Sequence, residues 1–157
     1  MEKIKRIAMI AHDHRKADLI EWVEWNWEML QHHQIICTGT TGRLVEEALK
    51  NNIGEKPAHE LNITKLKSGP LGGDQLMGAL IAEGKIDILI FLWDPMSAQP
   101  HDVDVKALLR IAVLYNIPTA CNRSTADFMI SSDLFDKSYH QKVKDYQDYI
   151  DRSIEGS

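Results

Sequence analysis

The chain has 157 residues, 44% hydrophobic and 26% charged, which is the composition of one ordinary globular domain. Its 18 Lys and Arg residues are outnumbered by 23 Asp and Glu residues, and the net charge of −5 excludes an overall basic field for nucleic acid or anionic lipid. A small anionic ligand is compatible with this charge, because a few local donors can bind one inside an acidic protein. We therefore expect a single domain over residues 1–157.

The cysteines and the apolar runs indicate a compartment. Cys37 and Cys121 are the only cysteines, and each ends a short apolar run, so we expect buried free thiols and no disulfide framework. Residues 7–11 and 88–93 are too short for a signal-peptide core and a bilayer span respectively. These features predict a cytoplasmic protein in a reducing environment.

The elements alternate along the chain. Short apolar runs predict strands at residues 6–11, 35–37, 63–66, 87–93 and 117–121. Helical patterns are predicted at residues 17–30, 44–51, 75–83, 105–115 and 137–152, with a polar surface loop at 50–62. This alternation predicts a three-layer α/β/α fold with a five-stranded, mainly parallel, Rossmann-like sheet.

The first and last helices carry apolar residues at spacings of three and four, which predicts a core-facing stripe on each. In the first helix the stripe consists of Ile20, Val23, Trp27 and Leu30. Trp22, Trp25 and Met29 fall off that stripe. They indicate either a wider core face or a subunit contact.

Polar clusters follow each of the five predicted strands. The carboxyl ends of parallel strands form one edge of a sheet, and ligands bind in the crevice there, so these clusters should converge on one site. The clusters are residues 12–14, 38–42, 68–74, 94–104 and 122–125.

The second and third clusters predict an anion site. Thr38-Gly39-Thr40-Thr41-Gly42 offers hydroxyls and backbone N–H groups at a strand-to-helix turn, and phosphate is the natural guest. The alternative is a plain helix cap. Ser68-Gly69 repeats the same chemistry, and Lys16 could add a positive charge. The turn is neither a Walker A sequence nor GxGxxG, so a nucleoside triphosphate or a dinucleotide gains no support.

Candidate proton-transfer groups lie in the third and fourth clusters. Asp74 closes a loop that contains three glycines, and it is either a base or the N-cap of the following helix. His101 can polarise a carbonyl or shuttle a proton. Asp102 or Asp104 would cap the next helix in the simpler interpretation. The histidines and aspartates lack a known metal-site spacing, and Ser68 lacks a nucleophile-elbow pattern.

Four strings resemble the methylglyoxal synthase family over nearly the whole chain: AHDHRK at 11–16, TGTTG at 38–42, SGPLGGDQ at 68–75, and WDP at 93–95 followed by PHDVDV at 100–105. The resemblance implies a lyase that converts dihydroxyacetone phosphate to methylglyoxal and inorganic phosphate without metal or organic cofactor. It also implies a homohexamer that phosphate inhibits.

The resemblance assigns roles to residues at matching positions. Asp74 matches the family's catalytic base, His101 its substrate-binding histidine and Asp104 a second catalytic carboxylate. Asp13, Asp94 and Arg152 match supporting positions, while Val103 stands where the family usually has proline. The substrate and phosphate site is matched by His12, Lys16, Thr38, Gly39, Thr40, Thr41, Ser68 and Gly69.

Two rival functions use parts of the same site. A regulatory module of this fold, like that of carbamoyl phosphate synthetase, would bind an anionic effector without a base. A triose-phosphate isomerase would use the same base and electrophile but release no phosphate. The presence of Asp74, His101 and Asp104 together favours an enzyme over the module.

Overall fold

A computed structural model describes residues 1–54, 60–96 and 102–145 of the chain. In these ranges five parallel strands form one sheet in the order β3-β2-β1-β4-β5. The strands are β1 (Arg6–Ala11), β2 (Gln34–Thr38), β3 (Ile63–Leu66), β4 (Ile88–Leu92) and β5 (Thr119–Ala120). The helices are α1 (Lys16–Trp25), α2 (Trp27–Leu30), α3 (Gly39–Ile53), α4 (Gly73–Ala82), α5 (Asp102–Leu114) and α6 (Arg123–Ile130).

Two hydrophobic cores cover the two faces of the sheet, because successive side chains of a strand point to opposite faces. In β1, Ile7 and Met9 pack with α1, α2, α3 and α6, whereas Ala8 and Ile10 pack with α4 and α5. The strand register is parallel throughout, as the helical crossovers require. The predicted three-layer α/β/α architecture is therefore confirmed.

The prediction of one continuous first helix is wrong. The helix ends at Trp25 and resumes as α2 at Trp27, with Asn26 outside the helical region at φ −108° and ψ 16°. The Asn26 side chain donates to the Trp22 carbonyl oxygen at 2.8 Å and so competes with the backbone bonding of a helix. Trp22, on α1, lies in the core, where its ring nitrogen donates to Asp127. Of the three residues off the stripe, Trp22 belongs to a wider core face, whereas Trp25 and Met29 are exposed.

The prediction of a last helix over 137–152 is also wrong in the part that the structure describes. Residues 137–145 contain no helix, and residues 146–152 lie outside the described ranges. The chain instead forms α6 directly after β5, where the Asn122 side chain caps the helix by accepting from the Thr125 N–H. The predicted loop at 50–62 begins later, because α3 continues to Ile53.

The prediction of free cysteines is confirmed. Cys37 is buried and Cys121 is partly buried, and neither is in a disulfide. Burial raises the pKa of the Cys37 thiol to about 12, which is typical of a packing residue and not of a reactive one. Within the described ranges, every helix is too short or too polar to cross a bilayer.

Buried polar groups close the amino edge of the sheet, opposite the predicted site. Lys5 is 1% exposed, and its ammonium donates to the backbone carbonyls of Glu2 and Lys137. Its backbone N–H donates to Nδ1 of the buried His33 at 3.1 Å. Asp87, also buried, accepts from the Arg6 guanidinium at 2.8 and 3.0 Å. The Lys5 contacts join the first residues of the chain to the segment around Lys137.

Candidate functional site

An open pocket of about 220 Å³ lies at the carboxyl ends of β1, β2 and β3. Three of the five predicted polar clusters contribute to it, as expected for the carboxyl edge of a parallel sheet. The fifth cluster does not join them, because residues 122–125 do not line the pocket and Asn122 caps α6 instead. Its lining residues are Ile10, Ala11, His12, Asp13, Lys16, Thr38, Gly39, Thr40, Thr41, Ser68, Gly69, Pro70 and Asp74. The predicted substrate and phosphate residues and the predicted base therefore meet in one cavity.

His12 follows β1 and is fixed by its neighbours. Its Nδ1 accepts the Asp94 backbone N–H at 3.2 Å, and its ring packs edge-on against Phe91 with ring centres 5.3 Å apart. A ring that accepts at Nδ1 is neutral there, so it carries its proton on Nε2. The same bond places Asp94, a buried residue, behind His12 and not in the lining of the pocket.

Lys16 stands at the rim of the pocket, one helical turn beyond His12. Its ammonium contacts the Asp13 carboxylate at 2.6 Å, and its side chain is 23% exposed against 86% for Asp13. The hydrogen bond from Lys16 holds the pKa of Asp13 below its ordinary value. This pair keeps a cation beside the pocket, where it can approach a bound anion.

The turn after β2 presents donors to the pocket. Helix α3 is 15 residues long and begins at Gly39, so the first backbone N–H groups of the helix lie at the pocket. Thr38 is the N-cap residue but makes no side-chain capping bond. The turn therefore begins a helix, as the plain-cap alternative expects, but without a cap from the Thr38 hydroxyl.

The turn after β3 brings a carboxylate against a backbone. Helix α4 begins at Gly73, and its N-cap is Gly72 at φ +92°, so Asp74 lies in the first turn and is not the predicted N-cap. Asp74 is 3% exposed. A Cβ on Gly69 would lie 2.9 Å from Asp74 Oδ2, so only a glycine at 69 allows the backbone to approach this carboxylate so closely.

Asp104, another predicted site residue, does not line this pocket. Asp104 lies on α5 and lines an adjacent cleft of about 230 Å³ between α4 and α5. Asp74 also lines that cleft, so it borders both cavities. His101 and Arg152 lie outside the described residues. Asp104 is not the N-cap of α5, because the helix already begins at Asp102.

The arrangement combines an anion-binding side with a buried carboxylate. Hydroxyls, backbone N–H groups and a lysine surround one part of the cavity, and Asp74 stands at another. The pocket is smaller than the roughly 300–1,000 Å³ of sites for drug-sized ligands, so it suits a small metabolite. Sequence reasoning missed the contact between Asp94 and His12, since these residues are 82 positions apart.

Known proteins match this chain over most of its length. The family model described as "MGS-like domain" matches residues 18–121. A methylglyoxal synthase from Maridesulfovibrio salexigens is 53% identical, with 98% of this chain and all of that protein covered. One from Leptospira interrogans is 58% identical over 91% of this chain and 90% of its own length.

A solved structure supports the same assignment. The crystal structure of methylglyoxal synthase from Elizabethkingia anophelis is 45% identical in sequence. It superimposes with a TM-score of 0.87 over all of this chain and 97% of the other. The agreement in sequence and fold places this chain in the methylglyoxal synthase family of enzymes.

Proposed function

We propose that this enzyme converts dihydroxyacetone phosphate to methylglyoxal and inorganic phosphate. The observation that carries the proposal is the contact between the predicted phosphate turn and the predicted base, where the Gly69 backbone lies against the Asp74 carboxylate. A substrate whose phosphate sits on that turn has its carbon skeleton within reach of Asp74. Membership of the family supports the reaction class.

The first step is the loss of a proton from the hydroxymethyl carbon to an Asp74 oxygen. The carbon–hydrogen electron pair forms the carbon–carbon double bond of an enediolate, and the former carbonyl oxygen takes the negative charge. His101 is the proposed donor to that oxygen, and Asp104 is proposed to orient His101 or to move the proton between the oxygens. His12 is proposed to contact the bound substrate from the wall of the pocket.

The second step is the departure of phosphate. Once the proton of the hydroxymethyl oxygen has moved to the former carbonyl oxygen, the charge lies on the hydroxymethyl oxygen. That oxygen forms the aldehyde carbonyl, the double bond shifts towards the carbon that bears phosphate, and the carbon–oxygen bond pair leaves with the phosphate. This requires the breaking bond to align with the enediolate π system. Residues 38–41 and 68–69 are proposed to hold the phosphate out of the enediolate plane, with Lys16 offsetting its growing charge. The enol left behind gains a proton on its methylene carbon and loses the proton of its hydroxyl, which gives methylglyoxal.

Two buried aspartates at opposite edges of the sheet test the proposed base. Asp74→Asn should lower kcat by about a thousandfold or more, because a general base contributes 10²–10⁴-fold. Asp87→Asn serves as the control, since Asp87 is equally buried but pairs with Arg6. We expect its folded fraction to keep the wild-type kcat while its stability falls. An Asp74→Asn enzyme with wild-type kcat would refute the assignment.

The assembly is part of the proposal. We propose a homohexamer, supported by large apolar side chains exposed on several elements, among them Trp25 at 85% and Phe128 at 82%. Light scattering after size-exclusion chromatography should then give about six times the 17.9 kDa of one chain. A mass equal to one chain at micromolar concentration would contradict the hexamer.

A further inference from the structure

The two anion-binding turns touch through their backbones at one glycine. A Cβ on Gly39 would lie 2.8 Å from the Ser68 Cα and 2.9 Å from the Ser68 Cβ, distances that real Cβ atoms do not show. The Gly39 N–H also donates to the Lys67 carbonyl oxygen at 3.2 Å. The start of α3 is therefore seated directly on the turn that follows β3.

The opposite side of the same segment is seated on a second glycine. A Cβ on Gly73 would lie 2.1 Å from the Lys67 carbonyl oxygen and 2.9 Å from the Ser68 carbonyl carbon and oxygen. The Gly73 N–H donates to the Ser68 carbonyl oxygen at 2.9 Å. Lys67 and Ser68 are thus held between the first residues of α3 and α4, with a hydrogen bond on each side.

Gly69, the residue after Ser68, connects this contact to the Asp74 carboxylate. Gly69 follows Ser68, and a Cβ on it would lie 2.9 Å from Asp74 Oδ2 and 3.3 Å from Oδ1. Gly73, which restrains Ser68 from the other side, is the direct neighbour of Asp74 in α4. Ser68 cannot move away from residue 39 without pressing on the glycines that border Asp74, because tightly packed backbones transmit such displacements.

We infer that Gly39 is a positioning residue, whose missing side chain sets the distance between the phosphate turn and the Asp74 carboxylate. The inference rests on the proposed function, because the role it gives Gly39 is to align the proposed substrate with the base Asp74. A displacement of about 1 Å between reacting groups can lower a rate by about 10²-fold. A methyl group at position 39 therefore acts on catalysis at saturating substrate and not on binding alone.

Backbone strain at position 39 is a competing explanation for a loss of activity in Gly39→Ala. A second glycine with a positive φ, Gly84, tests that explanation separately. Gly39 has φ +36°, a region that L residues rarely adopt, so any substitution there is strained apart from the contact with Ser68. Gly84, at the far end of α4, has φ +66°, and a Cβ on it would meet nothing within 4 Å. Gly84→Ala therefore introduces comparable strain without a clash and far from the pocket.

The experiment compares Gly39→Ala with Gly84→Ala and wild type. Thermal unfolding should show a loss of stability in both variants. With saturating dihydroxyacetone phosphate, Gly39→Ala should lower kcat at least tenfold, and calorimetry should show weaker binding of inorganic phosphate. Gly84→Ala should keep both values within twofold of wild type. A Gly39→Ala enzyme whose kcat and phosphate affinity match those of Gly84→Ala would overturn the inference.

Two further measurements keep the test decisive. If Gly39→Ala does not fold, the double variant Gly39→Ala, Ser68→Gly is compared with Ser68→Gly alone. The double variant loses the contact with the Ser68 Cβ but keeps the 2.8 Å contact with the Ser68 Cα, so the inference still predicts a lower kcat. Equal kcat and equal phosphate affinity in that pair would overturn the inference. If the wild type makes no methylglyoxal, the proposed reaction fails, while phosphate affinity still separates Gly39→Ala from Gly84→Ala.

Discussion

The two edges of the sheet each hold a buried histidine in nearly the same setting. His12 at the carboxyl edge and His33 at the amino edge both accept a backbone N–H at Nδ1, at 3.2 and 3.1 Å. Each ring also packs edge-on against a phenylalanine, with ring centres 5.3 Å apart and an 80° angle between planes. One of these histidines lines the pocket, whereas the other anchors the start of β1.

The difference lies in what surrounds each histidine. Around His12 the chain supplies turns rich in glycine and threonine, with helix N-termini and a carboxylate facing a cavity. Around His33 it supplies Phe135 and the stem of Lys5, whose ammonium is occupied by two carbonyl groups. A buried histidine is thus no sign of function by itself, and open backbone donors beside it are the better signal.

The two lysines at the opposite edges should separate catalysis from stability. Lys16→Met removes a cation from the rim of the pocket and should lower kcat/KM about 10- to 100-fold, the value of a hydrogen bond to a charged group. Its pairing with Asp13 is largely exposed, so the free energy of unfolding should change by less than about 1 kcal/mol.

Lys5→Met provides the matched control at the amino edge. It removes the two bonds from the ammonium to Glu2 and Lys137, so the free energy of unfolding should fall by about 1–3 kcal/mol. Because these contacts lie away from the pocket, kcat/KM of the folded protein should be unchanged. A loss of activity in Lys5→Met as large as in Lys16→Met would contradict the assignment of catalysis to the carboxyl edge and of stability to the amino edge.

A hydroxyl of the phosphate turn should affect binding more than turnover. Thr40 lines the pocket and is exposed within it, so Thr40→Val removes a donor with little change of volume. We expect inorganic phosphate to bind about tenfold more weakly by calorimetry, because hydrogen bonds to charged groups contribute about 1.5–3 kcal/mol. Equal phosphate affinity in Thr40→Val and wild type would place the anion elsewhere in the pocket.

The amino-edge histidine should make stability depend on pH. Burial, followed by the nearby Lys5 charge, lowers the pKa of His33 from 6.5 to about 4. Its neutral form therefore stabilises the fold fully above about pH 6.5. As the pH falls from 6.5 towards 4, the unfolded chain takes up a proton that the folded chain does not, and on the order of 3 kcal/mol is lost.

Denaturant unfolding at pH 7 and pH 5 checks this, with His33→Asn as the reference. The side-chain oxygen of the introduced asparagine can accept the Lys5 N–H, but the amide does not titrate. The wild type should lose more stability than His33→Asn between the two pH values. Equal losses would show that His33 is protonated in the folded protein at pH 5.

Much of the fold and site follows from local pattern. The apolar runs predict the strands, and the rule for parallel sheets brings residues 12–16, 38–41 and 68–74 to one edge, as the structure shows. Those features are predictable because each depends on a short window of sequence. The residues proposed to bind phosphate could therefore be named before any coordinates.

The failures depend on contacts between distant parts of the chain. The helical pattern leaves Trp22 off the core stripe, but it is buried and its ring nitrogen donates to Asp127, 105 positions away. The stripe at 137–152 predicts a helix, yet Tyr139 forms backbone bonds with Met1 in both directions. The seating of Gly39 on Ser68 is likewise invisible to local pattern, because only the folded chain brings them together.

The central claim is that this pocket eliminates phosphate from a triose phosphate. The most direct test incubates purified, chelator-treated wild type with dihydroxyacetone phosphate and measures methylglyoxal, inorganic phosphate and glyceraldehyde 3-phosphate together. We predict methylglyoxal and phosphate in equal amounts with no glyceraldehyde 3-phosphate. Glyceraldehyde 3-phosphate without phosphate release would indicate an isomerase, and folded protein that binds phosphate without any turnover would indicate an effector-binding module. Either result would contradict the account.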